Sequence, residues 1–302
     1  MFKNILVPLD GSRLAEAALT PAAWLSKKLT ATVMLIHVIE ANPPQAIHGE
    51  HHIRNEDEAC DYLTQIGKTR FDPSVTVEYH VHTEEVRNVP RSITSHASEF
   101  GSDLIIMCAH GEGGLRDILL GSIAQQVIGM GKTPVLLIKP EGSLDGDIKP
   151  FRRLLVGLDN MPEHEASLQV AGELATAINA ELRLVNVVQT VETLKGSTAA
   201  ASKLLPTTAV AMLEMTVSAA LDYLEGKAEN WRQCGVAVST SVRRGDIAHE
   251  LVLEAQDSDC DLIVLGTHGK AGMGAFWSGS VAPKLVGKTN LPLLFVPVKT
   301  RS

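Results

Sequence analysis

Cysteine is scarce in this chain and nowhere paired by spacing. Cys60, Cys108, Cys234 and Cys260 are its only four, with no CxxC among them. That spacing removes a zinc knuckle and a thioredoxin-type dithiol and leaves small buried or half-buried thiols of a reducing compartment. A surplus of positive charge is also missing. The net charge of −8 argues against general nucleic-acid binding, which needs a basic face; a local basic pocket for phosphate stays open. No apolar run approaches the ~20 residues that cross a bilayer. Met1-Phe2-Lys3-Asn4 leads into an apolar stretch ending at Pro8, too short for a signal-peptide core. The expectation is a cytoplasmic protein with no membrane partner. Two nucleotide motifs are absent as well. Gly131-Lys132-Thr133 and Gly287-Lys288-Thr289 resemble the tail of a Walker A loop, but Gln126 and Ala282 stand where its first glycine belongs. Each also precedes a strand rather than a helix, and no GxGxxG follows a first strand, which disfavours a nicotinamide cofactor.

What the 302 residues do contain is a duplication. Ile5-Leu6-Val7-Pro8-Leu9-Asp10 matches Leu154-Leu155-Val156-Gly157-Leu158-Asp159, and Met34-Leu35-Ile36-His37-Val38 matches Arg183-Leu184-Val185-Asn186-Val187, both at an offset of 149. Asp103-Leu104-Ile105-Ile106-Met107 matches Asp261-Leu262-Ile263-Val264-Leu265, and Pro134-Val135-Leu136-Leu137-Ile138 matches Pro292-Leu293-Leu294-Phe295-Val296, both at 158. The second copy therefore carries nine extra residues between Val187 and Gly245. The strands are short continuous apolar runs, as expected when both faces of a parallel sheet are covered. The segments between them have helical spacing; Leu213, Val217, Leu221, Leu224, Ala228 and Trp231 form one such stripe. Strand–helix alternation predicts an α/β fold of two tandem, open, mainly parallel five-stranded sheets flanked by helices. The Gly-, Asp- and Pro-rich segment 141–150 is the expected boundary, giving domains 1–143 and 151–302.

The most specific signal is a glycine frame. Gly266-Thr267-His268-Gly269 is followed nine residues later by Gly279-Ser280-Val281, and Cys108-Ala109-His110-Gly111 is followed at the same spacing by Gly121-Ser122-Ile123. The strand 262–265 is expected to end at Gly266, at the carboxyl edge where open α/β sheets bind ligands. Ser280 suits an N-cap and Pro283 a first helical turn. Free N–H groups at a helix start suit phosphate, and glycines let the backbone approach it. Glycines at strand ends also serve plain turns; two copies at identical spacing lower the weight of that reading. His110 and His268 either touch a phosphate or hydrogen-bond the turn.

With these motifs in view the chain resembles a tandem universal stress protein, nearly throughout and twice over. The features are the first strand ending in Asp10 and Asp159, the second ending in His37-Val38 and Asn186-Val187, and the G-x2-G-x9-G-[ST] frame. The resemblance implies ATP as ligand, with or without Mg²⁺. The first-strand Asp and second-strand Val then contact the nucleoside end, and the glycines and Ser hold phosphates. Carried across, the second copy offers Gly157, Asp159, Val187, Leu265, Gly266, His268, Gly269, Gly279, Ser280 and Val281. The first offers Pro8, Asp10, Val38, Met107, Gly111, Gly121, Ser122 and Ile123. The first copy departs from the frame at Cys108, and it has Glu112 where the second has Lys270. Some family members without the glycines bind no ATP, so the second copy is the expected tight site. The resemblance also implies that the last strands, 135–138 and 293–296, pair across a two-fold axis, making the chain a pseudo-dimer; a homodimer and unknown protein partners stay open.

Other features have plainer readings. His48, His51 and His52 cluster in one stretch, and His80 and His82 share a strand face; a solvated polar loop and two surface histidines are expected rather than a metal site. The Met-rich stretch Val210-Ala211-Met212-Leu213-Glu214-Met215 is expected to be a helix buried on its own sheet rather than a seat for an apolar ligand. No nucleophile–base set can be argued from spacing, so at most slow ATP hydrolysis is expected. The alternative class is a nucleotide-free interaction or scaffold protein, with an apolar ligand or a metal.

Overall fold

The computed structural model describes residues 1–41, 46–47, 50–109, 121–140, 151–188, 190, 206–268 and 281–298. In chain order the first half gives β1 (Asn4–Pro8), α1 (Arg13–Glu16), α2 (Leu19–Leu29), β2 (Thr32–Glu40), β3 (Ala46–Ile47), β4 (Glu50–His51), α3 (Glu56–Arg70), β5 (Val77–Val86), α4 (Val89–Glu99), β6 (Leu104–Cys108), α5 (Ser122–Met130) and β7 (Val135–Ile138). The second half gives β8 (Arg153–Gly157), a 3₁₀ turn at Pro162–His164, α6 (Glu165–Ile178), β9 (Glu181–Val188), α7 (Pro206–Gln233), β10 (Val238–Arg244), α8 (Ile247–Asp257), β11 (Leu262–His268), α9 (Val281–Lys288) and β12 (Leu293–Val298).

Two compact units result. The first comprises Met1–Pro150, Thr267–Gly279 and Asn290–Ser302, the second Phe151–Gly266 and Ser280–Thr289. In the first, β7-β6-β1-β2-β5 run parallel in that order, and β12 lies antiparallel on β7 with Leu293, Leu294 and Phe295 facing Leu137, Leu136 and Val135. The pairing of the two last strands expected from the sequence is thus present, and it gives the first unit a strand from the far end of the chain. It also covers an edge at which every β7 residue is apolar and buried. In the second unit β10-β9-β8-β11 run parallel.

The repeat persists in the hydrogen bonds. Asp103 accepts the backbone N–H groups of Lys3 and Asn4, and Asp261 those of Arg152 and Arg153, so each clamps the start of its unit's first strand. Helices α2 and α6 end on left-handed Thr30 and Asn179, whose N–H groups donate to Ser26 and Ala175. Asn88 and Asp246 cap α4 and α8 alike.

Two expectations need correcting. Leu221 is exposed, and Ala220 takes its place in the buried stripe of α7; the fully buried residues Ala220, Leu224 and Ala228 recur every four positions, one helical face, and Leu221 lies ~100° round from Ala220. Met212 and Met215 stand on the solvent side of the same helix, 64% and 72% exposed, so that end is not buried on its sheet.

Candidate functional site

The strands of each unit place the first-strand aspartate by the same device. His37 Nδ1 lies 2.8 Å from the carbonyl oxygen of Leu9, and Asn186 Nδ2 donates to the carbonyl of Leu158 at 2.8 Å. The Leu9 and Leu158 N–H groups donate to Ile36 and Val185, both at 2.9 Å. Each first strand is therefore tied to the second one residue before Asp10 or Asp159. The chain then turns through positive φ, 90° at Gly11 and 63° at Asn160, a region open to glycine and tolerated by Asn.

In the second unit the register sets Gly157 between Val185 on β9 and Leu265 on β11. Gly157, Asp159, Val187, Leu265 and Gly266 thus gather at the carboxyl ends of three neighbouring strands. A Cβ on Gly157 would lie 2.7 Å from Leu265 Cδ2, so glycine there lets Leu265 pack across the strand. Asp159 Oδ1 accepts the Met161 N–H at 3.1 Å and Oδ2 meets His164 Nδ1 at 2.7 Å. Burial pushes its carboxyl upward, but the hydrogen bond and charge of His164 and the Met161 N–H outweigh that and hold it below the ordinary value. It is ionised at neutral pH with about half its side chain in solvent. Val281 opens α9, and Pro283 lies in its first turn, where no N–H is required. Strand β11 runs on through Gly266 and Thr267 to His268 rather than ending at Gly266; Thr267, with its side chain buried and Oγ1 3.4 Å from the Val296 carbonyl, suits a strand. Gly269, Gly279 and Ser280 lie outside the described residues.

In the first unit Pro8, Asp10, Val38 and Met107 gather at the corresponding ends of β1, β2 and β6. Asp10 Oδ1 accepts both the N–H and the hydroxyl of Ser12, at 2.9 and 2.7 Å. Cys108, in the place of Gly266, is buried; burial first and the charge of Asp10 second push its thiol up to about 12. Burial and then Asp10 likewise raise Glu40 at the end of β2. The first helix residue is Ser122, with Gly121 as N-cap and no side-chain cap; Ser122 is exposed and Ile123 half-buried. Gly111 and His110 lie outside the described residues.

Sequence reasoning missed what covers this rim. A Cβ on Gly11 would lie 2.8 Å from Ile53 Cδ1. Ile53 and His52 are 5% and 1% exposed. His52 is therefore a core residue rather than part of a solvated loop; the adjoining Ile53 carries it inward. Its charge also depresses His37, whose pKa is lowered chiefly by burial. His48 and the side chain of His51 lie outside the described residues. His80 and His82 are half-buried rather than surface groups, because α4 lays His96 against them; the sequence paired the first two by alternation but held no signal for the third.

Comparison with known proteins agrees with the doubled architecture. The model of the universal stress protein family matches residues 1–139 and 150–297. A universal stress protein of Methanocaldococcus jannaschii is 32% identical over 145 residues, covering 46% of this chain and 83% of that protein. One of Mycobacterium tuberculosis is 23% identical over 297 residues, 96% of each chain. Among solved structures, a universal stress protein from Archaeoglobus fulgidus superposes with a TM-score of 0.67 at 16% identity, covering 98% of this chain and 96% of that one. One from Pseudomonas aeruginosa gives 0.68 at 15%, covering 98% and 94%; at such identity these two speak to the fold alone. With its family model matched twice across most of its length, the chain belongs to the universal stress protein family.

Proposed function

We propose that this is a cytoplasmic stress-response protein that binds ATP, with or without Mg²⁺, mainly through the second copy's rim, and passes its bound state to protein partners. The observation that carries the reading is the contrast between the two rims. In the second, ionised Asp159 stands half in solvent, its side chain 51% exposed, beside Gly157, Leu265 and Gly266. In the first, Ile53 sits on Gly11, and Glu40 adds a second carboxyl beside Asp10. Asp159 and Val187 would hold the nucleoside end, an acceptor for ribose hydroxyls beside an apolar wall. Gly266, Gly269, Gly279 and Ser280 would hold the phosphates, with Lys270 offsetting their charge where the first copy has Glu112. Four free thiols suit the reducing cytoplasm. Domains 1–143 and 151–302 are proposed as the two copies, each with its own rim. Equilibrium binding of labelled ATP to nucleotide-stripped protein, with mass spectrometry of any copurifying ligand, tests the assignment; absence of binding removes it.

A second reading, an interaction module independent of nucleotide, draws on Met212, Met215 and Leu221, all exposed on α7. Solvent-facing methionines adapt to apolar partners.

A further inference from the structure

We propose that His80, His82 and His96 form a binding site for a borderline divalent transition-metal ion, zinc under cellular conditions, with a fourth position left to water or an outside ligand. The proposal does not rest on the nucleotide reading.

Alternation along β5 puts His80 and His82 on one face, and α4 supplies His96. One ring nitrogen from each lies within 4.8 Å of the other two. Tetrahedral zinc with Zn–N near 2.0–2.1 Å needs nitrogens about 3.3 Å apart, so closing even the widest pair takes at most about 0.8 Å per ring.

Three further features mark the cluster as more than a chance meeting. Among the described residues His80 Nε2 is buried and has no hydrogen-bond partner, a costly state for a polar atom unless something ligates it. His96 Nδ1 lies 2.9 Å from Glu99 Oε2. A carboxylate there accepts a hydrogen bond from the Nδ1–H, which holds the proton on that nitrogen and leaves the Nε2 lone pair pointing into the cluster, as outer-shell carboxylates do for metal-bound histidine. Phe100 stacks on the His96 ring at 5.3 Å and meets His80 edge-on at 5.0 Å, which fixes both ring planes. Without metal, His82 Nδ1 and His96 Nε2 sit 2.9 Å apart and need one proton between them. Since His96 holds its proton on Nδ1, that proton is on His82 Nδ1. An ion takes both lone pairs, and the His82 proton relocates to Nε2. Three imidazoles without a thiolate suit zinc, copper, nickel or cobalt; magnesium and calcium prefer oxygen ligands.

The test uses full-length protein stripped with a chelator and titrated with zinc chloride or cobalt chloride. One tightly held zinc per chain is expected, with visible bands of four-coordinate cobalt. His82→Ala, at a half-buried position, and His96→Ala should each abolish both signals. Circular dichroism establishes that a variant is folded, and His82→Ala carries the test if loss of the buried His96 ring unfolds the chain. Glu99→Gln should keep the stoichiometry and weaken binding roughly 10- to 100-fold. His249→Ala, at an exposed position of α8, should change nothing. Failure of the stripped wild type to take up zinc, or uptake by folded His82→Ala equal to wild type, would overturn the proposal.

Discussion

The imidazole of His37 meets the carbonyl oxygen of Leu9 at 2.8 Å, and the second copy makes the same tie with Asn186 and Leu158. One geometry is thus served by a group that titrates and by one that does not. Burial, helped by His52 and opposed by the Leu9 carbonyl and Asp10, holds the His37 pKa below its ordinary 6.5.

A group whose folded pKa is depressed contributes stability that is present above the unfolded value and is lost as pH falls through that value toward the folded one. The protein should therefore lose stability as pH drops below about 6.5. His37→Asn, which installs the second copy's residue, should keep the tie, cost about 1 kcal/mol at about pH 8 through lost ring volume, and flatten the slope below pH ~6.5. Denaturant titrations across that range check it; an unchanged slope would contradict it.

Glu254 of α8 is 1% exposed and bonds Arg183 at 2.7 Å, Arg243, and the Ser241 and Ser258 hydroxyls. Burial pushes its carboxyl upward, but Arg243, Arg183 and Ser258 hold it below the ordinary 4.5. This contribution is present above pH ~4.5 and is lost as pH falls through the depressed folded value. Glu254→Gln should cost about 2 kcal/mol at neutral pH, below the ~3–5 of a fully buried pair because both guanidinium groups reach solvent. It should also shift acid unfolding of the second unit. A neutral effect in urea titration would contradict this.

Phe295 of β12 is fully buried and faces Val135 of β7. Phe295→Ala should destabilise the first unit by about 3–5 kcal/mol, although the residue is 160 positions from its partner in sequence. Hydrogen exchange at β7 and β6 is the readout, and protection unchanged there would refute the assignment.

Much of this was legible in the sequence, for identifiable reasons. The buried strands read as apolar runs because both sheet faces are covered, and the offsets of 149 and 158 carried strand positions from one copy to the other. What was missed depends on contacts between distant segments. Ile53 over Gly11, and His96 against His80 and His82, leave no periodic trace. The extension of β11 to His268 was hidden because glycine at 266 reads as a strand end. The loop glycines 111, 269 and 279 stand out by their spacing and by the family resemblance, and they lie outside the described residues.

ATP hydrolysis, if present, should be slow. Neither rim offers, among the described residues, a base placed to orient water or an arginine aimed at a phosphate, the groups that supply most of the rate in dedicated NTPases. Single-turnover assays with radiolabelled ATP should give rates well below the ~1–10³ s⁻¹ of typical enzymes; turnover within that range would contradict the claim.

The central claim is one tight ATP site per chain, in the second copy. Its most direct test is calorimetric titration of ATP into nucleotide-stripped wild type, Gly279→Val and Gly121→Val. The wild type should bind one equivalent tightly. Valine at 279 should weaken that binding at least about tenfold, a change of ~1.4 kcal/mol, by placing a branched side chain where the backbone must approach phosphate. Valine at 121 should leave it nearly unchanged. Two equal sites in the wild type, or loss of binding only with valine at 121, would contradict the account.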